Sequence, residues 1–312
     1  MKIGIYKDTL ANRRGADAAV EALCAELKKC GHEAELFEKE AFAVKIKEQW
    51  EVMIATGTNE LLDLSVAFPE RFPWPVIMQF HTNPRQQFKR KRIIRNWRIR
   101  RALRRVHAIQ VLRQEFVPQV AKYGVKVAVI GNWSRYEGEE SNTAEKKLII
   151  YPAAFGGKKN HTLLIKAFTI ARKHYPDWSL ELYGEGNVPE HLPEGVKVMG
   201  YCDLAAAYRR CAFMAFPSLS EGFSLALLEA SMFGKPSVLL EDWIGTAKAG
   251  GALQAKNTVG SFSSALLELM ANVELRIKMG MAARNWCQNQ YSRNRIMELW
   301  IKLIKETVDG CR

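Results

Sequence analysis

The sequence predicts an α/β protein with two doubly wound, Rossmann-like domains that face a cleft. Short apolar runs, rich in β-branched and aromatic residues, recur along the 312 residues without strict alternation. Such runs are typical of parallel strands that are covered on both faces. Amphipathic stretches of helical length separate the runs, as in a strand–helix repeat. A polar stretch then divides the chain into two halves that are built in the same way.

The strands predicted from these runs follow one another through both halves. In the first half they span residues 2–6, 33–37, 52–56, 76–80, 108–112 and 125–130. In the second half they span residues 148–151, 179–183, 196–199, 212–216 and 237–240. Residues 18–30 and 161–173 are examples of the amphipathic helices between them. Because ligands of such sheets bind beyond the carboxyl ends of the strands, we expect functional side chains in the loops that follow strands.

The polar stretch 134–147 is the predicted linker between the two domains. It places an N-terminal domain at residues 1–140 and a second domain at 141–292. The remaining residues, 293–312, form a helix that is predicted to cross back onto the first domain. No short-period repeat is visible, so a solenoid is not supported.

Composition excludes several classes of protein and indicates an anionic partner. Hydrophobic residues at 48% and charged residues at 25% are typical of a globular chain rather than a disordered or fibrous one. The 46 Lys and Arg exceed the 33 Asp and Glu by 13, so we expect an anionic partner such as nucleic acid, an anionic membrane or a phosphorylated substrate. The six cysteines have no zinc-ligand spacing, and no Asp-x-Asp occurs; we therefore expect no metal site. With no signal peptide or membrane-spanning run evident, we expect a cytoplasmic protein.

Residues 216–236 carry the most informative pattern. A strand ends at Pro217, a loop carries Glu221, and a helix is predicted from about Ser224 to Gly234. Backbone N–H groups at residues 223–225 would point out of the helix start, where an anion binds well. Glu229 lies two turns inside an otherwise apolar helix and needs partners, which the hydroxyls of a ribose would supply. Alternatively, Glu221 complements the helix dipole and Glu229 reaches solvent.

The two glutamates of this stretch are separated by seven residues and framed by Pro217-Ser218, Gly222-Phe223 and Gly234-Lys235-Pro236. This pattern resembles the group 1 retaining glycosyltransferases of family 4, which have the GT-B architecture. The resemblance implies that Glu221 contacts the transferred sugar and that Glu229 binds the nucleotide ribose. It also implies that Gly222, Phe223, Ser224 and Leu225 line the donor site. The family commonly has glycine where Ser224 stands.

Residues 148–168 resemble the family's strand, basic loop and following helix. Lys158 and Lys159 precede a helix whose predicted N-cap is Asn160. Two cations at a helix start oppose the helix dipole unless an anion lies between them, although solvated surface lysines are the alternative. The resemblance implies that Lys159 binds the diphosphate. The family's loop arginine is replaced by Ala153-Ala154, which makes Lys158 the candidate second cation.

Further matches are weaker. Gly184 lies in a glycine turn after a strand, and Tyr201 ends a segment whose backbone lines the base pocket in the family. In the first half, Gly15 and Ala16 match the family's glycine loop, with Ala16 in place of the second glycine. His81 ends a strand where relatives place a histidine beside the transferred sugar, although a solvated loop histidine is nearly as well supported.

Residues 85–105 contain eleven Lys and Arg and no acid, interleaved with apolar side chains. On a helical projection Ile93, Ile94 and Trp97 share one face, while Phe88, Ile99, Leu103 and Val106 share another. The imperfect stripe allows a kink or two short helices near Arg98. We favour contact with an anionic membrane or phosphorylated acceptor over nucleic acid. The candidate membrane or anion-binding residues are Arg85, Lys89, Arg90, Lys91, Arg92, Arg95, Trp97 and Arg98.

The sequence therefore predicts a metal-independent retaining glycosyltransferase of hexosyltransferase type. It would move a sugar from a nucleotide diphosphate sugar, its co-substrate, to a lipid-linked or phosphorylated surface-glycan precursor such as lipopolysaccharide or capsule. Glu221, His81 and Lys159 are the candidate catalytic residues. No cofactor is expected, and the location would be cytoplasmic and peripheral to the inner face of the membrane. Alternatives are a transferase-like scaffold that binds membrane or nucleic acid without catalysis and, less favoured, a sugar-nucleotide epimerase.

Overall fold

A computed structural model describes residues 1–10, 15–88, 92–139 and 146–311. The chain divides into two compact units. The first comprises Met1–Asn132 together with Asn294–Arg312, and the second comprises Trp133–Arg293. The chain therefore passes from one unit to the other after residue 132 and again after residue 293. The predicted boundaries lie after residues 140 and 292.

The first unit is built around a parallel sheet. Its strands are β1 (Lys2–Tyr6), β2 (Glu33–Phe37), β3 (Val52–Ala55), β4 (Val76–Gln79), β5 (Ala108–Val111) and β6 (Lys126–Val129). Its helices are α1 (Ala16–Lys29), α2 (Lys39–Lys45), α3 (Thr58–Ala67), α4 (Ile93–Leu103), α5 (Val117–Val120) and all but the first residue of α11 (Arg293–Asp309). The strand order is β2-β1-β3-β4-β5-β6, so the order reverses between β1 and β3.

The second unit repeats this plan. Its strands are β7 (Leu148–Pro152), β8 (Ser179–Tyr183), β9 (Val196–Gly200), β10 (Phe213–Phe216), β11 (Ser237–Leu239) and β12 (Ala252–Gln254). Its helices are α6 (His161–Arg172), α7 (Ala205–Arg210), α8 (Leu225–Met232), α9 (Val259–Ala271) and α10 (Val273–Tyr291). The order β12-β11-β10-β7-β8-β9 is that of a Rossmann sheet, with its reversal between β7 and β10.

Each predicted strand is confirmed to within one residue or so at either end. The central strands are buried on both faces of the sheet, whereas β6 and β9 are partly exposed. In β3, for example, Val52, Met53, Ile54 and Ala55 have no solvent exposure. The edge strand β12 was not predicted. Its three residues include exposed Gln254 and follow two glycines, so they lack the apolar run that marks the other strands.

Helical faces pack as their apolar spacing requires. In α1 the buried side chains are Val20, Leu23, Cys24 and Leu27, the face predicted for residues 18–30. In the first unit α11 buries an apolar stripe that includes Trp300, and Lys126 of β6 pairs with Glu306 at 2.7 Å. Among the helices that the structure describes, none is both long and apolar enough to span a bilayer.

Helices α8 and α10 approach each other closely at two glycines. Gly234 ends α8 with a left-handed backbone (φ 68°), as the helix-stop signal predicted. A Cβ on Gly280 of α10 would lie 2.0 Å from the carbonyl oxygen of Gly234. The turn at Gly234-Lys235-Pro236 can therefore approach α10 this closely because α10 has a glycine, Gly280, at the contact.

We expect Gly280→Ala to destabilise the second unit by about 1–3 kcal/mol or more, because the added methyl group meets backbone that cannot rotate away. Gly260→Ala in α9 is the matched control, since its Cβ would meet nothing within 4 Å. Alanine favours a helix over glycine, so the control should be neutral or stabilised by up to about 1 kcal/mol. Urea unfolding measures both variants. Equal stability of Gly280→Ala and the parent protein would contradict the proposed close packing.

Candidate functional site

The reversal of strand order in the second unit brings two functional loops together. Strands β7 and β10 are neighbours in the sheet, and the loops after them carry Lys159 and Glu221 respectively. In open parallel sheets this switch point forms the ligand crevice, because the helices that follow the two strands leave on opposite faces. The backbone N–H of Leu219 donates to the carbonyl oxygen of Lys158 at 2.8 Å, which joins the two loops directly.

Lys159 and Glu221 form an ion pair across this crevice. Both side chains are largely sheltered, with 29% and 13% exposure respectively, so solvent screens the pair less than it screens a surface pair. Buried Tyr151, near the end of β7, donates its hydroxyl to the carbonyl oxygen of Lys159 at 2.8 Å. The same hydroxyl lies 2.8 Å from the Oγ of buried Ser218. Tyr151 therefore connects the end of β7 both to the loop of Lys159 and to the loop of Glu221.

The start of α8 lies in the same loop as Glu221. The helix starts close to Ser224, as predicted; Ser224 is its N-cap, and its Oγ accepts a hydrogen bond from the N–H of Leu227 at 3.2 Å. Leu225 is the first helical residue, and Gly222 and Phe223 lead into it. The ring of Phe223 packs edge-on against Tyr291 of α10 at 5.2 Å. This contact fixes the direction of the first N–H groups of α8, which the helix itself leaves unpaired.

Asn160 immediately precedes α6, but its side chain does not cap the helix. Its backbone is left-handed, with φ 55°, and its Nδ2 donates instead to Oδ1 of Asn257 at 3.1 Å. Asn160 is therefore the N-cap residue by position, as predicted, but without a capping hydrogen bond from its side chain. The next residue, His161, is buried and stacked on Phe155 at 4.2 Å, and burial lowers the pKa of its ring to about 4. A neutral imidazole at the start of α6 adds no positive charge to that of Lys158 and Lys159.

Glu229 is a buried carboxylate on α8. Burial raises its pKa to about 7, although Arg135 and a hydrogen bond from Tyr208 oppose the shift. The hydroxyl of Tyr208, on α7, donates to Oε2 of Glu229 at 3.0 Å. The Nε atom of Arg135 lies 3.6 Å from Oε1. The carboxylate therefore has partners in the protein, as its burial requires.

Arg135 was not among the predicted site residues. It lies within the stretch that was interpreted as linker, and it is distant in sequence from Glu229. In the sequence, Arg135 is followed by an aromatic residue and then by an acidic run. This pattern is too common to predict that Arg135 contacts Glu229. Only the fold brings the two residues together.

The turn after β8 is shaped by glycine. Gly184 has φ 153°, and a Cβ there would lie 2.3 Å from the carbonyl oxygen of Ala153 in the loop after β7. The N–H of Gly184 donates to the carbonyl of Gly200 at 2.8 Å, which aligns this turn with the end of β9. Tyr201 follows β9 and is 56% exposed. Glycine at position 184 is required because backbone approaches it from the neighbouring loop.

His81 lies in the first unit, directly after Phe80 at the end of β4. Both ring nitrogens are buried, with no hydrogen-bond partner among the described residues. Burial, with a smaller contribution from Lys7, lowers its pKa to about 3. The ring is therefore neutral at physiological pH, with one nitrogen able to donate and the other to accept.

The reversal of the first sheet falls between β1 and β3, and charged side chains meet near it. Lys7, just after β1, lies 3.3 Å from buried Glu60 of α3 and 3.8 Å from Asp17 of α1. Gly15 has φ 53° and precedes Ala16, the first residue of α1. The two residues of the predicted glycine loop, Gly15 and Ala16, thus lie at the start of α1.

The basic segment begins in a short 3-10 helix, Pro84–Gln87, and continues in α4. Helix α4 runs unbroken from Ile93 to Leu103, so a break near Arg98 is not present. Its inner face buries Ile99 and Leu103, while Ile93 and Ile94 are each 77% exposed and Trp97 is 59% exposed. The two faces therefore divide as the helical projection indicated. Lys89, Arg90 and Lys91 lie outside the described residues.

The described cations of this segment differ in their surroundings. Arg85, Arg92 and Arg98 are exposed. Arg95 instead turns toward the protein, donating to Oδ1 of Asn59 at 2.8 Å and Oγ1 of Thr58 at 3.2 Å. Its charge therefore helps to hold α4 against the start of α3.

Within the described ranges, no three His, Cys, Asp or Glu side chains are grouped as metal ligands would be.

Comparison with known proteins shows what the second unit is similar to. Residues 146–272 match the family model described as Glycosyl transferases group 1. This part of the chain is therefore similar to group 1 glycosyltransferases. The match covers α6, α8 and both loops of the switch point, and it confirms the resemblance inferred from Glu221, Glu229 and Lys159.

Individual proteins are similar to this chain in sequence or in fold. An uncharacterized glycosyltransferase from Haemophilus influenzae is 27% identical over 171 residues, which are 50% of this chain and 48% of the relative. The chain thus spans about half the length of this curated relative. HepE from Anabaena, solved with UDP and glucose, has a TM-score of 0.78 at 15% identity over 98% of this chain and 99% of its own. Sucrose-phosphate synthase from Thermosynechococcus elongatus has a TM-score of 0.77 at 13% identity, covering 99% and 100%. These structural matches confirm the predicted GT-B fold class.

The raised pKa of Glu229 predicts a specific pH dependence of stability. An ordinary glutamate has a pKa of 4.5 and Glu229 has about 7, so between these values the folded protein holds a proton that the unfolded chain has released. The free energy of unfolding should therefore fall, relative to Glu229→Gln, by up to about 3 kcal/mol as the pH rises from about 4.5 to 7.

Urea unfolding of both proteins from pH 4.5 to 8 measures this difference. The variant Glu268→Gln, at an exposed position on α9, gives the baseline for removing one surface carboxylate. Parallel curves for the parent protein and Glu229→Gln over this range would show that Glu229 titrates normally.

Proposed function

We propose that the protein is a retaining glycosyltransferase that moves a hexose from a nucleotide diphosphate sugar to a hydroxyl group of a glycan precursor. The acceptor would be lipid-linked or phosphorylated, as in the assembly of lipopolysaccharide or capsule. The observation that carries the proposal is the juxtaposition of Lys159, Glu221 and the start of α8 at one switch point. It offers a cation, a hydroxyl-binding carboxylate and helix N–H groups within one crevice.

The donor would be bound in three parts. The diphosphate would lie against Lys159 and the N–H groups at residues 223–225, where the helix dipole also favours negative charge. Hydroxyls of the transferred sugar would donate to Glu221, and hydroxyls of the ribose would donate to Glu229. The backbone around Gly184 and Tyr201 would line the base pocket. Exposed Lys158 is the candidate second cation, since alanines stand where the family has arginine.

The chemistry requires stabilisation of a leaving group. In transfer, the bond between the anomeric carbon and the diphosphate oxygen breaks, the acceptor oxygen bonds to that carbon, and its proton is released. Negative charge builds up on the diphosphate as the bond breaks, and Lys159 with the helix N–H groups would meet it in a sheltered site. We propose that no metal or other cofactor is needed, because Lys159, Lys158 and the helix N–H groups would together offset the charge of the diphosphate.

UDP is the first nucleotide to test, because HepE was solved with UDP and glucose. The first unit would bind the acceptor through the loop at Gly15 and Ala16. The neutral ring of His81, which can both donate and accept, would orient a hydroxyl.

The exposed face of α4 supports binding to an anionic membrane surface. Ile93, Ile94 and Trp97 present apolar side chains to solvent, flanked by exposed Arg92 and Arg98. Each cation near such a surface contributes about 1 kcal/mol, and the apolar side chains would enter the interface. We therefore propose a cytoplasmic enzyme, peripheral to the inner face of the membrane, that reaches its acceptor there.

Lys159→Ala and Glu221→Ala should each lower sugar transfer by a factor of about 100 or more, as expected when one group that stabilises developing charge is removed. The readout is nucleotide release from a panel of sugar nucleotides, with and without lipid extract and EDTA. Lys166→Ala, an exposed lysine on α6, is the matched control and should retain parent activity.

Near-parent turnover by both variants would overturn the assignment. Lipid binding without turnover of any donor by the parent protein would favour the non-catalytic scaffold instead.

Replacing Ile94 and Trp97 together by serine should reduce binding to anionic vesicles by about a hundredfold or more, because about 1.5–3 kcal/mol is lost with each large apolar side chain that no longer enters the interface. Both side chains are exposed, so folding should be unaffected. Co-sedimentation with phosphatidylglycerol vesicles measures binding, and phosphatidylcholine vesicles control for charge. Unchanged binding of the double variant would exclude this face as the membrane contact.

A further inference from the structure

The short segment 133–136 is fixed against α7 and α8 of the second unit. Tyr136 is buried, and its hydroxyl donates to Oδ1 of Asp203, the residue that also accepts the N–H of Ala205 at the start of α7. Its ring packs against Phe233 at 5.4 Å and Tyr208 at 6.0 Å. The segment is therefore anchored immediately beside Arg135, and it cannot slide along the surface of the unit.

This anchoring holds the guanidinium of Arg135 over the buried carboxylate of Glu229. The Nε atom lies 3.6 Å from Oε1, and the guanidinium is stacked over the ring of Tyr136 with its carbon 4.6 Å from the centroid. The Arg135 side chain is 58% exposed and that of Glu229 only 12%. The arginine thus approaches the carboxylate from the solvent side, the direction from which a ligand would also arrive.

The charged and titratable groups that face Glu229 come from each of the surrounding elements. Arg135 stabilises the carboxylate, and Tyr208 of α7 donates a hydrogen bond to it. Asp203, before α7, disfavours its negative charge, and the carboxylate in turn contributes to the raised pKa of Tyr136. Cys287 of α10 forms its side-chain hydrogen bond with Ser231 rather than with Glu229. Arg135 is therefore the cation, within the described part of the chain, that opposes the burial of this carboxylate.

We propose that Arg135 is a positioning residue that keeps Glu229 ionised and oriented to accept hydrogen bonds from the ribose hydroxyls of the donor nucleotide. This inference rests on the proposed function, since it concerns the carboxylate assigned there to the ribose. Arg135 acts through Glu229, because both ribose hydroxyls need an acceptor and a protonated carboxyl group offers fewer lone pairs. The stack on Tyr136 limits the motion of the guanidinium, so the carboxylate keeps a fixed counter-ion.

The consequence is a pH-dependent contribution to nucleotide affinity. With Arg135 present, Glu229 has a pKa of about 7, and removing the arginine raises this pKa further. Well above both values the carboxylate is ionised in either protein, and the affinities converge. As the pH falls, the variant loses its ionised form first, and the affinity ratio of parent to variant rises toward about tenfold for each unit of added pKa.

The experiment measures UDP affinity by calorimetry from pH 6 to 9 for the parent protein, Arg135→Gln, Arg135→Lys and the control Lys166→Gln. The ratio of parent to variant cancels the titration of UDP itself. Arg135→Gln should bind about tenfold more weakly near pH 6 and within about twofold at pH 9. Arg135→Lys should recover most of the loss, and Lys166→Gln should match the parent throughout.

A pH-independent loss in Arg135→Gln would overturn the inference, because it would indicate direct attraction of the diphosphate. A second test combines Arg135→Gln with Glu229→Gln. Because the titrating carboxylate is then absent, loss of the arginine should have no pH-dependent effect on UDP affinity. A persisting pH-dependent effect in that background would also overturn it. Failure of the proposed function gives a different result, namely no binding of any nucleotide diphosphate by the parent protein at any pH.

Discussion

The reversal of strand order in the second sheet is the constraint on which the candidate site depends. Parallel strands need crossover helices, and where the order reverses the two crossovers leave opposite faces of the sheet. The loops after β7 and β10 are consequently adjacent and uncovered. Lys159 and Glu221 meet because of this topology, and the bond from Leu219 to Lys158 ties their loops together.

Several charged side chains around this crevice are placed unfavourably, and a neighbouring group partly offsets the cost of each one. Lys158 and Lys159 stand at the start of α6, where the helix dipole disfavours cations. Glu221 offsets one of them, and His161 is kept neutral by burial. Glu229 is held in an apolar helix at a cost in stability that Arg135 and Tyr208 only partly offset. Perturbed groups of this kind concentrate at functional sites, because selection for binding tolerates a loss of stability.

The sequence predicted the fold and part of the site for different physical reasons. Strands were recoverable because a parallel strand must be apolar on both faces, which leaves a local pattern, whereas β12 is too short and too exposed to carry one. The start of α8 near Ser224 was recoverable because helix starts have local rules, whereas Glu221 was named from the family resemblance. Arg135 was not, since its contact with Glu229 depends on tertiary packing of Tyr136. Asn160 shows the same limit, because its side chain bonds Asn257 rather than its own helix.

The net charge of +13 has a structural explanation in the first half of the chain. Residues 71–114 contain 13 Lys and Arg with no Asp or Glu, so the rest of the chain balances at 33 of each sign. Like charges this dense repel one another, and inward bonds such as those of Arg95 offset little of that repulsion. An exposed helix face with Ile94 and Trp97 adds an unfavourable apolar surface. Both costs are relieved by one kind of contact, an anionic surface with an apolar interior, whereas a free phosphate would relieve only the first.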